Sequence, residues 1–344
     1  MVEGINLLKQ IRRGCFVFAA LLALPAAARA SAIARPQVQT FALGSERYAS
    51  LRDVARFYNL DLQSARGSRI PLKSKWTDLQ FEAAARKMWM NGMMIWLNMP
   101  IVKSRFQWAL NKEDMDSTLD PLLRPNLHLR SEGSRIVVLD PGHGGTDRGA
   151  RGPRGVEEKR VVLDIAERVR VHLANAGIKV YLTRSGDRAL NLVERPYRAN
   201  QWNADVFVSI HLNDSATASA GGIETYVLSV PGYSSTNVKG GGRTAKVSYR
   251  GNAHNGGNMI LAYMLQKNLL AKTKAEDRGI RRARFAVLKD VDCPAALVEC
   301  GFLSNAREEW LFRTDDYLNK VSQALAQGII EYLGSVERAK VSMP

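Results

Sequence analysis

The sequence is poor in cysteine, and this shortage excludes a fold held together by disulfides. Of the three cysteines, Cys15 lies in the N-terminal segment, whereas Cys293 and Cys300 flank a stretch that is predicted to form one strand. Seven residues of extended chain span about 23 Å, but a disulfide requires Cα atoms within about 7 Å of each other. We therefore expect two buried free thiols, even in an oxidising compartment.

The sequence also lacks a hydrophobic run that is long enough to span a membrane stably. Three basic residues precede its one marked apolar run, Phe16 to Leu24, and a small-residue cleavage site at 28–30 follows it. This order is typical of a secretory signal peptide, here residues 1–30, although an uncleaved anchor or an amphipathic start would leave a similar pattern. We expect an exported protein of the periplasm or cell envelope, or a secreted one, with no stable membrane span after cleavage.

Acidic residues are the other scarce class, at 33 against 49 lysines and arginines, for a formal net charge of +16. Without residues 1–30 the chain keeps 45 basic and 32 acidic residues, a net charge of +13. Such a charge attracts polyanions. After export we expect peptidoglycan carboxylates, teichoic acids or anionic lipid as partners and no nucleic acid, although a basic composition shared by a whole proteome would give the same charge.

Composition divides the chain before residue 135 into a linker, a small folded unit and a second linker. Residues 31–45, rich in Ala, Ser, Pro and Gln, and the polar residues 128–134 are the predicted linkers. Between them, residues 46–127 combine helical spacing from Tyr48 to Tyr58 with an Asn-Gly pair at 91–92, which is a strong hairpin signal between two apolar runs. This small α+β unit resembles the stalk-like domain at the N-terminus of copper amine oxidases, which recurs in cell-wall proteins.

Four large side chains flank the predicted hairpin turn, namely Met88, Trp89, Met93 and Trp96. We expect them in the core of the small unit rather than on a ligand platform, because the unit holds no cluster of metal-binding or nucleophilic side chains. Binding of glycan or of a partner is the functional alternative for this unit.

From residue 135 to residue 334 the pattern changes to alternating strands and helices. The predicted strands are Ile136–Leu139, Val180–Leu182, Val206–Ile210, Ile223–Leu228, Phe285–Leu288 and Ala295–Val298. The predicted helices are Val162–Leu173, Met259–Leu270 and Tyr317–Leu333, with residues 335–344 as a C-terminal tail. This alternation predicts an α/β fold with a mixed, mainly parallel sheet flanked by helices on both faces, preceded by the small α+β domain.

Two histidines stand where predicted strands end. His143 follows a strand and lies among three glycines, whose permissive backbone lets the imidazole approach an ion, and His211 ends an apolar strand. Ligands of open α/β sheets gather at the carboxyl ends of the strands. A solvent-facing histidine in a Gly-rich turn is the alternative for His143.

Two glutamates complete the set. Glu158 opens a helix, where a carboxylate complements the helix dipole, and its neighbour Glu157 is a rival for the same role. Glu299 follows a core strand, where a charged side chain needs a partner because its burial is unfavourable; a structural ion pair is the alternative. Together, two imidazoles and a carboxylate can bind zinc in three positions, and a second carboxylate can act as a general base.

Residues 135–334 are similar to the zinc-dependent N-acetylmuramoyl-L-alanine amidases of cell envelopes and spores. The matching pieces include VVLDPGHGG at 137–145, LTR at 182–184, LVER at 192–195, ADVFVSIH at 204–211, GIETY at 222–226 and VECGFLSN at 298–305. The resemblance implies that His143, Glu158 and His211 bind one Zn2+ per chain and that Glu299 is catalytic, and it favours Glu158 over Glu157. A helix that covers the zinc in some relatives is not evident in the Gly-rich stretch 231–257.

The resemblance also implies a reaction, the hydrolysis of the amide bond between N-acetylmuramic acid and L-alanine in peptidoglycan, for cell-wall remodelling or cell separation. Asn213 and Arg278 are expected to position the substrate, and the resemblance leaves an activator protein open. A zinc peptidase that cuts within the stem peptide is an alternative with the same chemistry, and peptide-free glycan among the products would separate the two. A catalytically idle wall-binding protein is a third alternative, but all four reactive residues are present.

Overall fold

The computed structural model describes residues 38–129, 135–238 and 242–341. The predicted signal peptide, residues 1–30, lies outside these ranges, as does most of the predicted linker 128–134. The described residues belong to one compact unit. None of the helices in these ranges combines the length and the apolar character needed to cross a bilayer.

Nine strands precede residue 112 and form two antiparallel arrangements. They are β1 (Phe41–Leu43), β2 (Glu46–Ser50), β3 (Asp61–Leu62), β4 (Arg69–Lys73), β5 (Asp78–Glu82), β6 (Lys87–Met90), β7 (Met93–Trp96), β8 (Val102–Ser104) and β9 (Gln107–Asn111). A small sheet has the order β1-β2-β9-β8, and β3 to β7 form a meander. The predicted hairpin is present, because Asn91 and Gly92 both adopt the positive φ that a tight β-turn requires. β1 lies within the stretch predicted as a linker, where pairing with β2 orders it.

Six further strands form the centre of the α/β region. They are β10 (Ile136–Pro141), β11 (Lys179–Leu182), β12 (Val206–Asn213), β13 (Ile223–Leu228), β14 (Asp277–Ala283) and β15 (Ala295–Phe302). Their spatial order is β11-β10-β12-β15-β13-β14, and every neighbouring pair is parallel except β15 and β13. The expected mixed, mainly parallel sheet is confirmed.

The sheet does not stop at β14, because β7 pairs with it and the meander continues to β3. Side chains reinforce this junction. The Asp277 carboxylate accepts a hydrogen bond from the Met94 backbone N–H at 2.7 Å, and the Trp96 indole N–H donates to the Arg278 carbonyl at 3.1 Å. The buried Arg282 guanidinium donates to the Ser117 carbonyl at 2.7 Å. The small unit and the α/β region therefore share one sheet of eleven strands.

Helices cover both faces of the α/β part of the sheet. The α-helices of the described ranges are α1 (Leu51–Phe57), α2 (Lys112–Asp114), α3 (Asp120–Leu123), α4 (Glu158–Asn175), α5 (Glu194–Gln201), α6 (Asn255–Thr273), α7 (Ala286–Lys289), α8 (Ala306–Leu311) and α9 (Asp315–Val341). The long helices α4, α6 and α9 pack on one face through a large apolar cluster, and α5 and α7 pack on the other through a smaller one. The small α+β unit precedes this layered core, as expected.

Strict alternation in β6 and β7 decides which side chains around the hairpin are buried. Met88 and Met93 belong to the core and are 0% and 6% exposed, whereas Trp89 and Trp96 lie on the opposite face and stay partly exposed. The expectation that all four lie in the core is therefore wrong for the two tryptophans. Neighbouring residues of a strand point to opposite faces, so strand position outweighs hydrophobicity here.

Other elements also differ from the sequence expectation, and α5 and α8 were not predicted. The predicted strand Phe285–Leu288 is instead the short helix α7, since four apolar residues do not distinguish a strand from a helical turn. Helix α9 continues through the predicted tail to Val341, because Val336 and Ala339 extend its buried stripe. Strand β14 was not expected from its charged sequence. Cys293 and Cys300 are buried and free, as predicted.

Candidate active site and metal centre

Strand register brings the predicted site residues to one edge of the sheet. His211 on β12 is the direct neighbour of Glu299 on β15. β10 flanks β12 on its other side, and the loop after β10 carries His143. Glu158 comes from the first turn of α4, where its backbone N–H donates to the Ala150 carbonyl at 2.9 Å. The four side chains thus derive from three adjacent strands and one helix start.

His143, Glu158 and His211 converge so closely that one potential ligand atom of each lies within 4.8 Å of the others. Glu158 stands between the histidines, with Oε2 at 3.1 Å from His143 Nε2 and Oε1 at 3.0 Å from His211 Nδ1. The same carboxylate accepts hydrogen bonds from the Ala150 N–H at 2.7 Å and the Leu212 N–H at 3.0 Å. These contacts fix the orientation of the carboxylate.

The local electrostatics favour an ionised Glu158. Burial alone would raise the pKa of its carboxyl, but hydrogen bonds and charge interactions with His143 and His211 hold that pKa well below its usual range. Burial would lower the pKa of His143, yet the hydrogen bond to Glu158 and its charge outweigh burial and raise it. The negative carboxylate between two imidazoles is a site prepared for a cation.

Two glycines leave the room that this arrangement needs. A Cβ atom on Gly142 would lie 2.2 Å from His211 Cε1. A Cβ atom on Gly149, whose φ is +66°, would lie 2.4 Å from Glu158 Oε2 and 2.7 Å from His143 Cδ2. Any larger residue at either position would displace one of the three residues His143, Glu158 and His211, which we call the triad.

Polar residues hold the loop that carries His143, and its two arginine partners are buried. Asp147 Oδ2 lies 2.9 Å from His143 Nδ1, so Nε2 is the nitrogen that faces Glu158. The Arg195 guanidinium donates to the His143 carbonyl at 2.9 Å and pairs with Asp140 at 2.8 Å. Arg184, which is 0% exposed, donates to the Gly142 carbonyl at 2.7 Å. Sequence reasoning assigned no role to these arginines, although the LTR and LVER segments that contain them were signals.

Glu299 lies beside the triad with no protein partner for one of its oxygens. Oε2 is buried and, within the described ranges, accepts no hydrogen bond. Burial raises the pKa of Glu299 well above its usual range, and the nearby negative charges of Glu158 and Glu224 raise it further. A buried carboxyl oxygen without a partner is unfavourable, so its presence beside the cavity indicates that it serves a ligand.

The donor set fits zinc. Two imidazoles and one carboxylate are a donor set of zinc hydrolases. The cluster is the one group of three such donors found among the described residues, which fits one ion per chain.

A cavity of about 430 Å³ opens over these four residues. Its wall also contains Asn213 and Asp214 from the end of β12, and apolar side chains that include Leu192, Leu212, Phe285 and Leu297. Asn213 thus lies where a substrate-positioning residue would be. Arg278 is not part of this wall; its Nε donates to Glu224 Oε1 at 2.6 Å, and its guanidinium lies over the Phe302 ring.

The two candidate glutamates at the start of α4 have different surroundings. Glu157 pairs with two surface arginines, Arg148 at 3.2 Å and Arg160 at 3.4 Å. Glu158 is 2% exposed and faces the histidines. The structure thus brings Glu158, and not Glu157, to the two histidines.

Two adjacent glutamates of α8 hold the backbone around the site, and sequence reasoning missed both. Glu309 is 0% exposed and accepts hydrogen bonds from the N–H groups of Arg154 at 2.9 Å and Val156 at 3.3 Å, in the loop before α4. Glu308 accepts from the Gly222 N–H at 2.7 Å and the Phe302 N–H at 2.5 Å, which links β13 to β15. Their one sequence signal is that they lie three and four residues after the end of the VECGFLSN segment.

Known proteins share the region that contains this site. The profile of a family described as N-acetylmuramoyl-L-alanine amidase matches residues 137–331. The N-acetylmuramoyl-L-alanine amidase AmiA of Escherichia coli K12 is 34% identical over 245 residues, which cover 65% of this chain and 84% of that protein. AmiC of Neisseria meningitidis is 33% identical over 58% of this chain and 53% of that protein. Among solved structures, the amidase AmiC2 of Nostoc punctiforme aligns with a TM-score of 0.50 and 32% identity, over 59% of this chain and 99% of that one.

Proposed function

This chain belongs to the N-acetylmuramoyl-L-alanine amidase family, and from that premise we propose how its own residues perform the reaction. The enzyme hydrolyses the amide bond between N-acetylmuramic acid and L-alanine in peptidoglycan, and so acts in cell-wall remodelling. We assign His143, Glu158 and His211 as the ligands of one zinc ion and Glu299 as the general base. The observation that supports this assignment is the convergence of three donor atoms beside an unpartnered carboxyl.

A zinc ion held by the triad would supply Lewis-acid chemistry, which polarises the scissile carbonyl and increases the acidity of water. The chain contributes an ionised carboxylate and two oriented imidazoles. Asp147 turns the His143 ring so that Nε2 faces inward, and Arg195 holds the backbone of the same residue. Such outer contacts orient metal ligands and increase their basicity.

Glu299 moves the proton in this proposal. Its unpartnered Oε2 takes a proton from the attacking water, and the same carboxyl then gives that proton to the departing nitrogen of L-alanine. Protonation of the nitrogen is needed because an amine leaves readily whereas an amide anion does not. Burial raises the pKa of Glu299, the negative charges of Glu158 and Glu224 raise it further, and the higher pKa makes the carboxylate a stronger base.

Asn213 is proposed to orient the substrate. Its Oδ1 accepts a hydrogen bond from the Asp214 backbone N–H at 2.8 Å. Its NH₂ group, which has no side-chain or backbone acceptor among the described residues, can then donate to a carbonyl of the substrate. Arg278 would contribute from outside the cavity, through the surface described in the next subsection.

The place of action is also part of this proposal. We infer export to the periplasm or cell envelope, or secretion, because peptidoglycan is there and because residues 1–30 have the order of a signal peptide. Residues 46–127 and 135–334 would be the two functional regions, the second of which carries the reaction.

The products of digestion test the reaction. Purified peptidoglycan would be incubated with the enzyme and analysed by mass spectrometry. The amidase reaction releases stem peptides that begin with a free L-alanine and leaves glycan without peptide. Glycan that still carries alanine on every muramic acid would instead identify a peptidase and refute the proposed bond.

Metal content tests the ligand assignment. His211→Ala should lose most of the bound zinc, and His172→Ala is the matched control because His172 lies near the far end of α4, about 20 Å along the helix from Glu158. Zinc per chain would be measured by elemental analysis after dialysis against a weak chelator. A normal zinc content in His211→Ala would refute its role as a ligand.

A further inference from the structure

The sheet face that carries His211 and Glu299 continues across the N-terminal strands. Glu299 is the direct neighbour of Glu224 on β13, which is the neighbour of Gly279 on β14. Beyond Gly279, the pairing of β14 with β7 and of β7 with β6 brings Met94 and then Trp89 alongside. The catalytic edge and the outer face of the small unit are thus one continuous surface.

A second row of side chains runs parallel to the first. Tyr226 is the neighbour of Arg281, the Arg281 guanidinium lies over the Trp96 ring, and Trp96 is the neighbour of Lys87. On this side of β5, β6 and β7 the side chains are partly exposed, whereas the alternate residues are buried in the core. The small unit therefore presents an open, tryptophan-bearing face next to the site.

Cations lie against both tryptophans of this face. The Arg69 guanidinium carbon is 3.2 Å from the centre of the Trp89 ring, and Lys87 Nζ is 5.1 Å from that of Trp96. Within the described part of the chain, neither Arg69 nor Lys87 forms an ion pair. A cation stacked on an indole is held in place while its N–H groups remain available to an anion. The face is thus prepared for negatively charged groups.

We propose that this tryptophan face, defined as Arg69, Lys87, Trp89, Trp96 and Arg281, binds the carboxylates of peptidoglycan stem peptides. The proposal rests on the proposed function, because the occupant is identified by the bond that is cut beside Glu299. Trp96 lies three strand spacings of about 4.8 Å from Glu299 across the sheet and two residues further along its strand, which together amount to about 16 Å. A peptide of about five residues extends about 17 Å, so a stem peptide that begins at the catalytic edge reaches the near side of this face, at Trp96, with its carboxylates.

Arg278 and Glu224 lie on the surface between the cavity and the tryptophan face. Glu224 is 3% exposed, and Arg278 and Arg281 lie against its carboxylate at 2.6 and 3.5 Å. The two guanidiniums therefore neutralise Glu224 and leave a path without exposed negative charge. Gly279 adds no side chain to this path.

Glu82 allows a second test of the proposal, in which the removal of a charge should change binding in the opposite direction. It is the cross-strand neighbour of Arg69, and no ion pair joins it to that arginine or to Lys87 within the described residues. An acidic side chain here opposes an anionic ligand. Removal of its charge should therefore strengthen binding, whereas removal of the cations should weaken it.

The experiment measures binding of the full chain to purified sacculi by co-sedimentation. All variants carry Glu299→Gln, so that the sacculi stay intact. Arg69→Gln combined with Lys87→Gln should weaken binding about three- to tenfold, as two exposed charge contacts imply, and Glu82→Gln should strengthen it about twofold. The matched control is Lys272→Gln combined with Lys320→Gln, on α6 and α9 behind the opposite sheet face, which should bind like the parent. Thermal unfolding checks that every variant is folded.

Sacculi stripped of their stem peptides identify the ligand. The parent should bind this peptide-free glycan as weakly as the double charge variant binds intact sacculi. The proposal is overturned if the double variant binds intact sacculi like the control pair, or if the parent binds stripped glycan as tightly as intact sacculi. Digestion of intact sacculi by the unmutated enzyme is scored separately, so failure of the reaction and failure of the binding face are distinguished.

Discussion

Replacement of Glu299 by glutamine separates proton transfer from metal binding, because glutamine keeps the shape of the side chain but does not accept the proton. Loss of a general base typically lowers the rate about 10²–10⁴-fold, which corresponds to roughly 3–5 kcal/mol of barrier. The structure favours the upper half of this range. Glu158 is occupied by two histidines and Glu224 by two arginines, so neither carboxylate can replace the base.

The same substitution has an expected effect on stability that can be measured without zinc. In the metal-free protein the pKa of Glu299 is raised by burial and by neighbouring carboxylates. A raised pKa favours folding below the ordinary carboxyl pKa of about 4.3 and ceases to do so as pH rises through the folded-state value. Glu299→Gln should therefore lose less stability than the parent as pH increases, and its melting temperature should not fall at neutral pH.

The assay measures zinc content and turnover of a soluble muropeptide on one sample, and the melting temperature on a portion of the same protein from which zinc has been removed. Glu157→Gln is the matched control, because that neighbouring carboxylate pairs with surface arginines and should leave turnover within a few-fold of the parent. Loss of zinc together with activity would make Glu299 a ligand. Turnover within a few-fold of the parent would refute the reasoning and point to Asp214, the other carboxylate of the cavity wall, as the base.

Three further substitutions test the surroundings of the site and the small unit. Gly142→Ala places a Cβ 2.2 Å from the His211 ring, so zinc content should fall about as in His211→Ala while the far-UV circular dichroism spectrum stays normal. Glu309→Gln removes the charge of the group on α8 that accepts hydrogen bonds from the loop before α4. The free energy of unfolding in urea should fall by about 1–3 kcal/mol, and zinc binding should weaken about tenfold in a chelator competition. Unchanged values would contradict the positioning role of Glu309. Asp120→Asn tests a pH effect: burial alone would raise the pKa of Asp120, but hydrogen bonds from His128, Tyr58 and Arg124 bring it to about 2. The ionised Asp120 stabilises the fold above its unfolded pKa of about 3.9, and this stabilisation is lost as pH falls toward 2. The Asp120→Asn variant should therefore be less stable than the parent by at most about 2 kcal/mol at pH 6. Acid unfolding curves should show a smaller difference at pH 2.5.

The central strands could be predicted because burial on both faces leaves continuous apolar runs. The bounds of β13 agree with the prediction, and β10 and β12 extend it by two and three residues. Strand β14 could not be found in this way, because its sequence is rich in arginine. Those arginines are accommodated by partners far along the chain, such as Glu224 for Arg281 and Ser117 for Arg282, and a local pattern does not reveal such partners.

The residues of the site also fall into those that the sequence could predict and those that it could not. His143, His211 and Glu299 could be proposed because each stands where a strand ends, and strand ends meet at one edge of a sheet. The residues that hold the site, Arg184 and Glu309, bond to backbone atoms brought together only by the complete fold. Their chemistry has no fixed sequence spacing, so they were not predicted.

The pairing of β7 with β14 has a consequence for the order in which the chain can fold. The Met94 N–H and its acceptor on Asp277 are 183 positions apart in the sequence. Strands β3 to β7 are therefore synthesised long before β14, the strand that pairs with β7. Until then β7 is a free sheet edge, and free edges can pair with other chains. Contacts of such long sequence separation also slow folding. The topology therefore leaves this edge open to pairing with other chains until β14 docks against β7.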